Sequence, residues 1–543
     1  MVVLSDLEDR PGKEPPEVAI VGAGAVGLLL AVDLARSGKR VLLLEAGQDM
    51  PNAPDYVFDE VESTGRLFKG LTLGRFRALG GTTTKWGGQL VPLEPIVFER
   101  RDWLGEAGWP ICADDLAPAY EATLDLLGMK RRLGDAEVWR QLRVTPPQTG
   151  EDIEFFLTRW APEPNFARLF ASDLANNPLL VTVTGARVTA LYGRDGSTRV
   201  GLVVRNRGKT TKIEAGHVVL ANGTIETARL MLQPLQDGSR APWGGNPWLG
   251  RGFADHVDAY AGHVRPLDQQ RFNDVFDAAV LAGLKYLPKL KLTEQCQRRE
   301  GLFGIAAHFV TSSSHSAQLA ALKTVARNIL NRTGIEHERF DFAQSVQLLN
   351  LLARTATRYL RHRRIYNPAD HGIQLRLTGE QLIIRESGLS LTHQRDSSGM
   401  AMARLDWRVD GAELTTMARF AQMVAHYLAS AGLAEVELDP LLVALDSAFL
   451  EKLEDGYHHM GMARMAPTPQ DGVVDRELKV FGTENLFVAG AATFRSAGFA
   501  NPTFAALALA VRLSQTLRRQ ASAAPSAPFS NRAPAPEETT EDL

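Results

Sequence analysis

Apolar positions crowd the start of the chain in short unbroken runs and then lose their period. Residues 17–24, EVAIVGAG, form a β-rich run, residues 25–38, AVGLLLAVDLARSG, have helical spacing, and residues 40–47, RVLLLEAG, form a second strand-like run. This is one βαβ unit. Residues 55–99 have poor periodicity and many Gly and Thr, which predicts an extended loop of the long, structured kind that usually serves function. A helix follows over 112–128, with Asp114 placed to cap it and Gly128 to end it. Residues 179–232 read as a β-meander that returns through the buried run HVVLANG to another helix. Residues 259–455 are less regular, with a helical basic stretch at 320–366 and a strand-rich part at 374–407. The last residues, 520–543, are rich in Ala, Pro and Ser and then acidic, the composition of a disordered tail.

Composition narrows this picture only a little. A chain of 543 residues exceeds what one core usually supports, so two joined domains are expected. A net charge of -3 gives no electrostatic reason for a nucleic-acid partner. Cys112 and Cys296 are far apart and lack ligand spacing, so no disulfide framework and no metal site is expected. The first residues lack a signal-peptide pattern, and Asp33 and Arg36 interrupt the most apolar helix. Cytoplasmic residence is the expectation. Within 320–366, Lys323, Arg327, Arg332, Arg339, Arg354, Arg358, Arg361, Arg363 and Arg364 outnumber Glu336, Glu338 and Asp341. A solvated helix face in an insertion is the preferred reading, and a peripheral contact with membrane phospholipid or a phosphorylated substrate is the alternative.

Gly22, Gly24 and Gly27 fit a dinucleotide fingerprint after a strand and at the opening of a helix. The helix N-terminus would face the pyrophosphate. Glu45 ends the second strand, where a carboxylate accepts hydrogen bonds from ribose hydroxyls and repels a 2′-phosphate. NADP is thus disfavoured. With no second fingerprint evident, and with the chain leaving the βα pattern for a long loop, FAD is favoured over NAD.

Six collinear stretches carry a resemblance: the N-terminal turn, LGGTTTKWGG (79–88), HVVLANGTIETARLML (217–232), LGRGFADH (249–256), YHHMGMARM (457–465) and the segment 473–513. The chain resembles the glucose-methanol-choline (GMC) family of FAD-dependent oxidoreductases, and its T-x-W and H-x-M-G patterns look closest to the branch of pyranose oxidases and sugar or glycoside oxidases. The resemblance implies an α/β fold: a discontinuous Rossmann-like FAD-binding domain (17–103, 172–258 and 456–519), a loop and helical connection (104–171), and a substrate-binding domain of sheet and helices (259–455).

In catalysis it implies His458 and Asn501. An imidazole near its unperturbed pKa of about 6.5 can take the hydroxyl proton at neutral pH, and Asn501 can hydrogen-bond the same oxygen. Motif register favours His458 over His459, and His256 reads as structural or cofactor-adjacent. Toward the cofactor the resemblance implies Gly22, Ala23, Gly24, Ala25, Gly27, Glu45 and Ala46 at one end. Gly80, Gly81, Thr82, Thr84, Lys85, Trp86 and Gly87 run along the ring, joined by Val188, Ala221, Gly223, Gly490, Ala491, Asn501, Pro502 and Thr503. Some relatives attach FAD covalently through a histidine where Lys85 stands, so non-covalent FAD is expected. The expected reaction is oxidation of an alcohol, a secondary hydroxyl of a sugar, glycoside or polyol, with oxygen or an external acceptor taking the electrons. A non-redox lyase of the same family and a flavin-binding protein without catalysis are the competing readings.

Overall fold

The computed structural model describes residues 3–10, 14–48, 60–193, 198–314, 342–496 and 498–520. The apolar runs at the start become strands Val18–Val21 and Val41–Leu44, buried at every position, with helix Ala25–Arg36 between them. They lie in a six-stranded parallel sheet ordered Val3–Leu4, Leu180–Val183, Val41–Leu44, Val18–Val21, His217–Leu220, Leu486–Val488. Strands covered on both faces need no polar alternation, which is why the runs are unbroken. The sheet is assembled from three distant parts of the chain, and helix Pro502–Arg519 packs on Ala25–Arg36 and on helix Ala113–Leu126.

A second sheet of nine strands is antiparallel throughout and has its own apolar core. Its main path runs Ala434–Leu438, Val257–Pro266, Ile373–Gly379, Ile305–Thr311, Leu284–Leu292, Ile153–Trp160, Gln89–Leu90. Strand Leu284–Leu292, LKYLPKLKL, alternates buried and half-buried positions along its whole length, so Lys285, Lys289 and Lys291 share one face. Two three-stranded sheets complete the described residues. The mixed α/β class is as expected.

Several expectations are corrected. The stretch 104–171 is more than a connection, because Ile153–Trp160 pairs along its length with Leu284–Leu292. Within 55–99, strand Val61–Gly65 pairs in parallel with Ala401–Trp407. The N-cap of Ala113–Leu126 is Cys112, in a capping box with Asp115, and Asp114 sits in the first turn. In the basic stretch, Lys323, Arg327, Arg332, Arg339 and the three acids lie outside the described residues, as does the tail 521–543. Arg354, Arg361 and Arg363 are exposed, as a solvated face requires, but Arg358 and Arg364 are not. Both are buried: Arg358 pairs with Asp274 at 2.8 Å and Asp277 at 3.1 Å, and Arg364 donates to the Asp277 carbonyl at 2.7 Å. Among the described residues no helix is long and apolar enough to cross a membrane.

Candidate active site

The glycine turn is built by close approach. Gly22 has φ 97°, and a Cβ there would lie 2.6 Å from the Asn222 Cα; a Cβ on Gly27 would lie 1.9 Å from the Gly22 carbonyl oxygen. Gly24 differs, since a Cβ there would meet no protein atom within 4 Å. It is the N-cap of Ala25–Arg36 and supplies no side chain to bond the first N–H groups. Glu45 is buried; one carboxylate oxygen accepts from the Ala23 N–H at 2.8 Å and the other from the Gly47 N–H at 2.8 Å. A cavity of about 290 Å³ runs from this turn past Val188, Ala221 and Gly223 to Gly490, Ala491, Pro502 and Thr503, and ends on His458.

His458 stands on a loop pinned by Asp255. That carboxylate is fully buried and accepts from the N–H groups of His256 (2.6 Å), Gly456 (3.1 Å) and His458 (2.9 Å). Burial raises the Asp255 carboxyl well above its ordinary range, and the N–H donors oppose the shift. Tyr457, just before His458, takes φ 61°, a strained conformation of the kind that concentrates at functional sites. Gly461 lets the loop return, since a Cβ there would lie 2.0 Å from the Gly252 carbonyl oxygen.

The His458 ring bridges two partners. Its Nε2 lies 2.9 Å from Asn501 Nδ2, and its Nδ1 lies 2.9 Å from His256 Nδ1. Asn501 is the N-cap of Pro502–Arg519 yet makes no side-chain cap hydrogen bond, so its amide serves His458 instead of the helix. With Asn501 donating to Nε2, His458 carries its proton on Nδ1 and donates to His256, which leaves the Nε2 lone pair as the basic site. The His459 ring lies against Phe68, 5.1 Å between centroids, away from this chain of bonds.

His458 also lines a second cavity, of about 180 Å³, together with Asn501, which does not line the first. Its floor is one face of the nine-stranded sheet: Gln89, Phe156, Asp258, Lys289, Ala306, His308, Arg376 and Thr378 come from six strands. The register sets them side by side, His308 opposite Arg376 and Asp258 opposite Thr378. Arg376 pairs with Asp258 at 2.8 Å. Burial lowers His458 to about 3; His256 and Lys289 add to the lowering and Asp258 opposes it. The imidazole is therefore not near its ordinary value, contrary to the reading from sequence, and it is neutral throughout the physiological range. A base acts in its unprotonated form, so a lowered pKa extends activity toward acid. The kcat/KM for an alcohol is expected to show no inflection near 6.5 on going from about pH 7 down to about pH 5. An acid limb centred there would contradict this environment for His458.

Comparison with known proteins gives the family. A model described as GMC oxidoreductase matches residues 385–510, and one described as NAD(P)-binding Rossmann-like domain matches residues 20–70. The chain is 23% identical over 568 residues to 2-methyl-1,2-propanediol dehydrogenase of Mycolicibacterium austroafricanum, covering 93% of this chain and 95% of that protein. The chain belongs to the GMC oxidoreductase family. A 31% match over 149 residues, 23% of this chain and 25% of that protein, links it to the 6'''-hydroxyparomomycin C oxidase of Streptomyces lividus. Among solved structures, pyridoxine 4-oxidase from Mesorbium loti has TM-score 0.53 at 16% identity, covering 92% of this chain and 99% of that one. A formate oxidase has TM-score 0.56 at 14% identity, with 94% and 99% covered.

As a GMC oxidoreductase the protein is an FAD-dependent enzyme acting on CH–OH groups. The first cavity fits that cofactor: Gly24 leaves room for pyrophosphate, the N-termini of three helices without side-chain caps (Ala25–Arg36, Thr224–Leu232 and Pro502–Arg519) line it, and so does the Glu45 carboxylate. Of the residues expected at the cofactor, Gly22, Gly24, Ala25, Glu45, Ala46, Gly81, Thr82, Val188, Ala221, Gly223, Gly490, Ala491, Pro502 and Thr503 line this cavity. Ala23 and Gly27 shape the turn behind it. Gly80 holds the ring-side loop to the turn, its N–H donating to the Ala23 carbonyl at 2.9 Å.

Thr84, Lys85, Trp86 and Gly87 do not line the cavity, because the short 3-10 turn Gly81–Thr84 carries the chain away from it. Thr84 Oγ1 donates to the Gly81 carbonyl at 2.8 Å, Trp86 Nε1 donates to the Pro164 carbonyl at 2.6 Å, and Lys85 and Gly87 are exposed. Arg75 and Arg187, which no sequence motif marked, do line it, as does Glu226, which lies in the stretch 217–232 but was not singled out there; Arg75 pairs with Glu226 at 2.7 Å.

Proposed function

We propose that this GMC oxidoreductase oxidises a secondary hydroxyl of a polyhydroxylated small molecule, a sugar, glycoside or polyol, to the ketone. The observation that carries the reading is the His458–Asn501 pair, 2.9 Å apart, with His458 in the wall between a cofactor-shaped cavity and a polar one. A hydroxyl set between the two side chains donates to His458 Nε2 and accepts from Asn501 Nδ2. His458 then takes the hydroxyl proton, and His256 keeps its ring in the tautomer that exposes Nε2. Asn501 holds the oxygen without competing for the proton. Bound FAD supplies the acceptor for the hydride leaving the carbinol carbon. Gln89 Nε2, Asp258 Oδ1 and His308 Nδ1 are buried without a hydrogen-bond partner among the described residues, and all three side chains line the polar cavity. Such a set favours a substrate dense in hydroxyl groups. Two of the relatives are named for a diol and for hydroxyparomomycin.

The FAD is held non-covalently, since exposed Lys85 stands where some relatives attach it. Oxygen or an external acceptor reoxidises it. An anaerobic screen of sugars, glycosides, polyols and simple aliphatic alcohols tests the substrate class by bleaching of the flavin. Polyhydroxylated compounds bleach it at the lowest concentrations, and acid precipitation of the same samples leaves the flavin in the supernatant. Bleaching only by apolar alcohols would remove the substrate reading. Flavin that stays with the pellet would remove the non-covalent one.

A further inference from the structure

The polar cavity holds a charge that the protein itself does not balance. Asp258 and Arg376 form an ion pair at 2.8 Å, and Arg376 also donates to the Tyr260 hydroxyl at 3.1 Å. Lys285, on the same strand face, lies over the Trp160 ring at 4.1 Å from its centroid. Lys289 differs from all of these: among the described residues its ammonium has no hydrogen bond and no ion pair, although it feels the Asp258 charge. It projects from the middle of strand Leu284–Leu292 into a cavity that it shares with His458 and Asn501. A cation withdrawn from water and left unpaired is costly, and burial lowers Lys289 to about 8. A neutral polyol would satisfy the orphaned polar atoms and leave this charge in place. A phosphate dianion would meet one unpaired cation and the open oxygen of Asp258. A single carboxylate matches one ammonium, and hydroxyls match Gln89 and Asp258 Oδ1.

We propose that the second cavity is a carboxylate-recognition subsite with Lys289 as counter-ion, and that the alcohol oxidised at His458 is a hydroxylated carboxylic acid of the sugar-acid type. The inference rests on the reading of His458 and Asn501 as the reacting pair. Lys289 acts in binding and orientation, so its signature is selectivity between an acid and its neutral analogue.

The test compares anaerobic flavin reduction of the holoenzyme by gluconate and by sorbitol, in the wild type, Lys289→Met and Lys289→Arg. Wild type half-saturates at a lower concentration of gluconate than of sorbitol. Lys289→Met raises the gluconate value at least about tenfold more than the sorbitol value, and Lys289→Arg restores much of the preference. Equal effects on both compounds, or no preference in the wild type, overturn the proposal. A parallel titration of His458→Ala holoenzyme with gluconate and with gluconate 6-phosphate, read by the shift in flavin absorbance, keeps the inference separate from the proposed reaction. Lys289-dependent gluconate binding with no bleaching in the wild type leaves the subsite standing and removes the reaction. Binding that does not depend on Lys289, or tighter Lys289-dependent binding of the phosphate, overturns the carboxylate subsite.

Discussion

Replacing His458 by alanine lowers the rate of anaerobic flavin reduction by an alcohol by roughly 10²–10⁴-fold while the yellow holoprotein still forms. The loss is large because the imidazole is the proton acceptor for the hydroxyl. Asn501 is a donor at the same point, and His256 touches only the far edge of the ring. The cofactor stays for a separate reason. The loop is held by the His458 backbone N–H on Asp255 and returns through Gly461, and neither feature uses the ring. An alanine there keeps the same backbone donor. Stopped-flow absorbance at equal flavin content reads the effect, and a loss below about tenfold would remove His458 as the base.

The second large effect separates two glycines of one motif. Gly27→Val drives a side chain into the Gly22 carbonyl oxygen, 1.9 Å from where its Cβ would begin, and that oxygen belongs to backbone that has no rotamer to yield. Overpacking of that kind costs about 1–3 kcal/mol or more, and here it distorts the turn itself, so the variant is purified without flavin and melts at a lower temperature. Gly24→Ala meets no protein atom within 4 Å, so the apoprotein keeps its stability. The added methyl instead enters the cofactor cavity and weakens FAD binding at least about tenfold, which is about 1.4 kcal/mol. Flavin content and melting temperature of the two variants, with and without added FAD, check the pair. Equal stability losses would contradict the assignment of Gly27 to packing and Gly24 to the ligand.

Much of the cofactor half was legible because local pattern and fold agree there. The run EVAIVGAG is buried strand and turn, Glu45 closes the next strand, and the spacing from His458 to Asn501-Pro502 survives as a 2.9 Å contact between a loop and a helix cap. The stretch TKWG misled because its motif is linear whereas the chain turns away from the cavity after Thr82. His256 was underread: its adjacency to His458 depends on Asp255 gathering two loops some 200 residues apart, which no local spacing encodes. The depressed His458 pKa comes from burial, a property of the assembled fold. The polar cavity was hidden for a related reason, since the side chains of its floor come from six strands that are scattered along the chain and adjacent only in the assembled sheet. One signal was available, the strict alternation of LKYLPKLKL, which fixes Lys285, Lys289 and Lys291 on a common face.

The central claim is that His458 and Asn501 present a carbinol to bound FAD. The measurement that bears on it most directly mixes holoenzyme with a hydroxylated substrate in the absence of oxygen and follows flavin absorbance and carbonyl product together. Bleaching is expected, with one carbonyl formed per flavin reduced, and loss of both in His458→Ala. A carbonyl product that accumulates while the flavin stays oxidised, or bleaching that proceeds at the wild-type rate without His458, would contradict it.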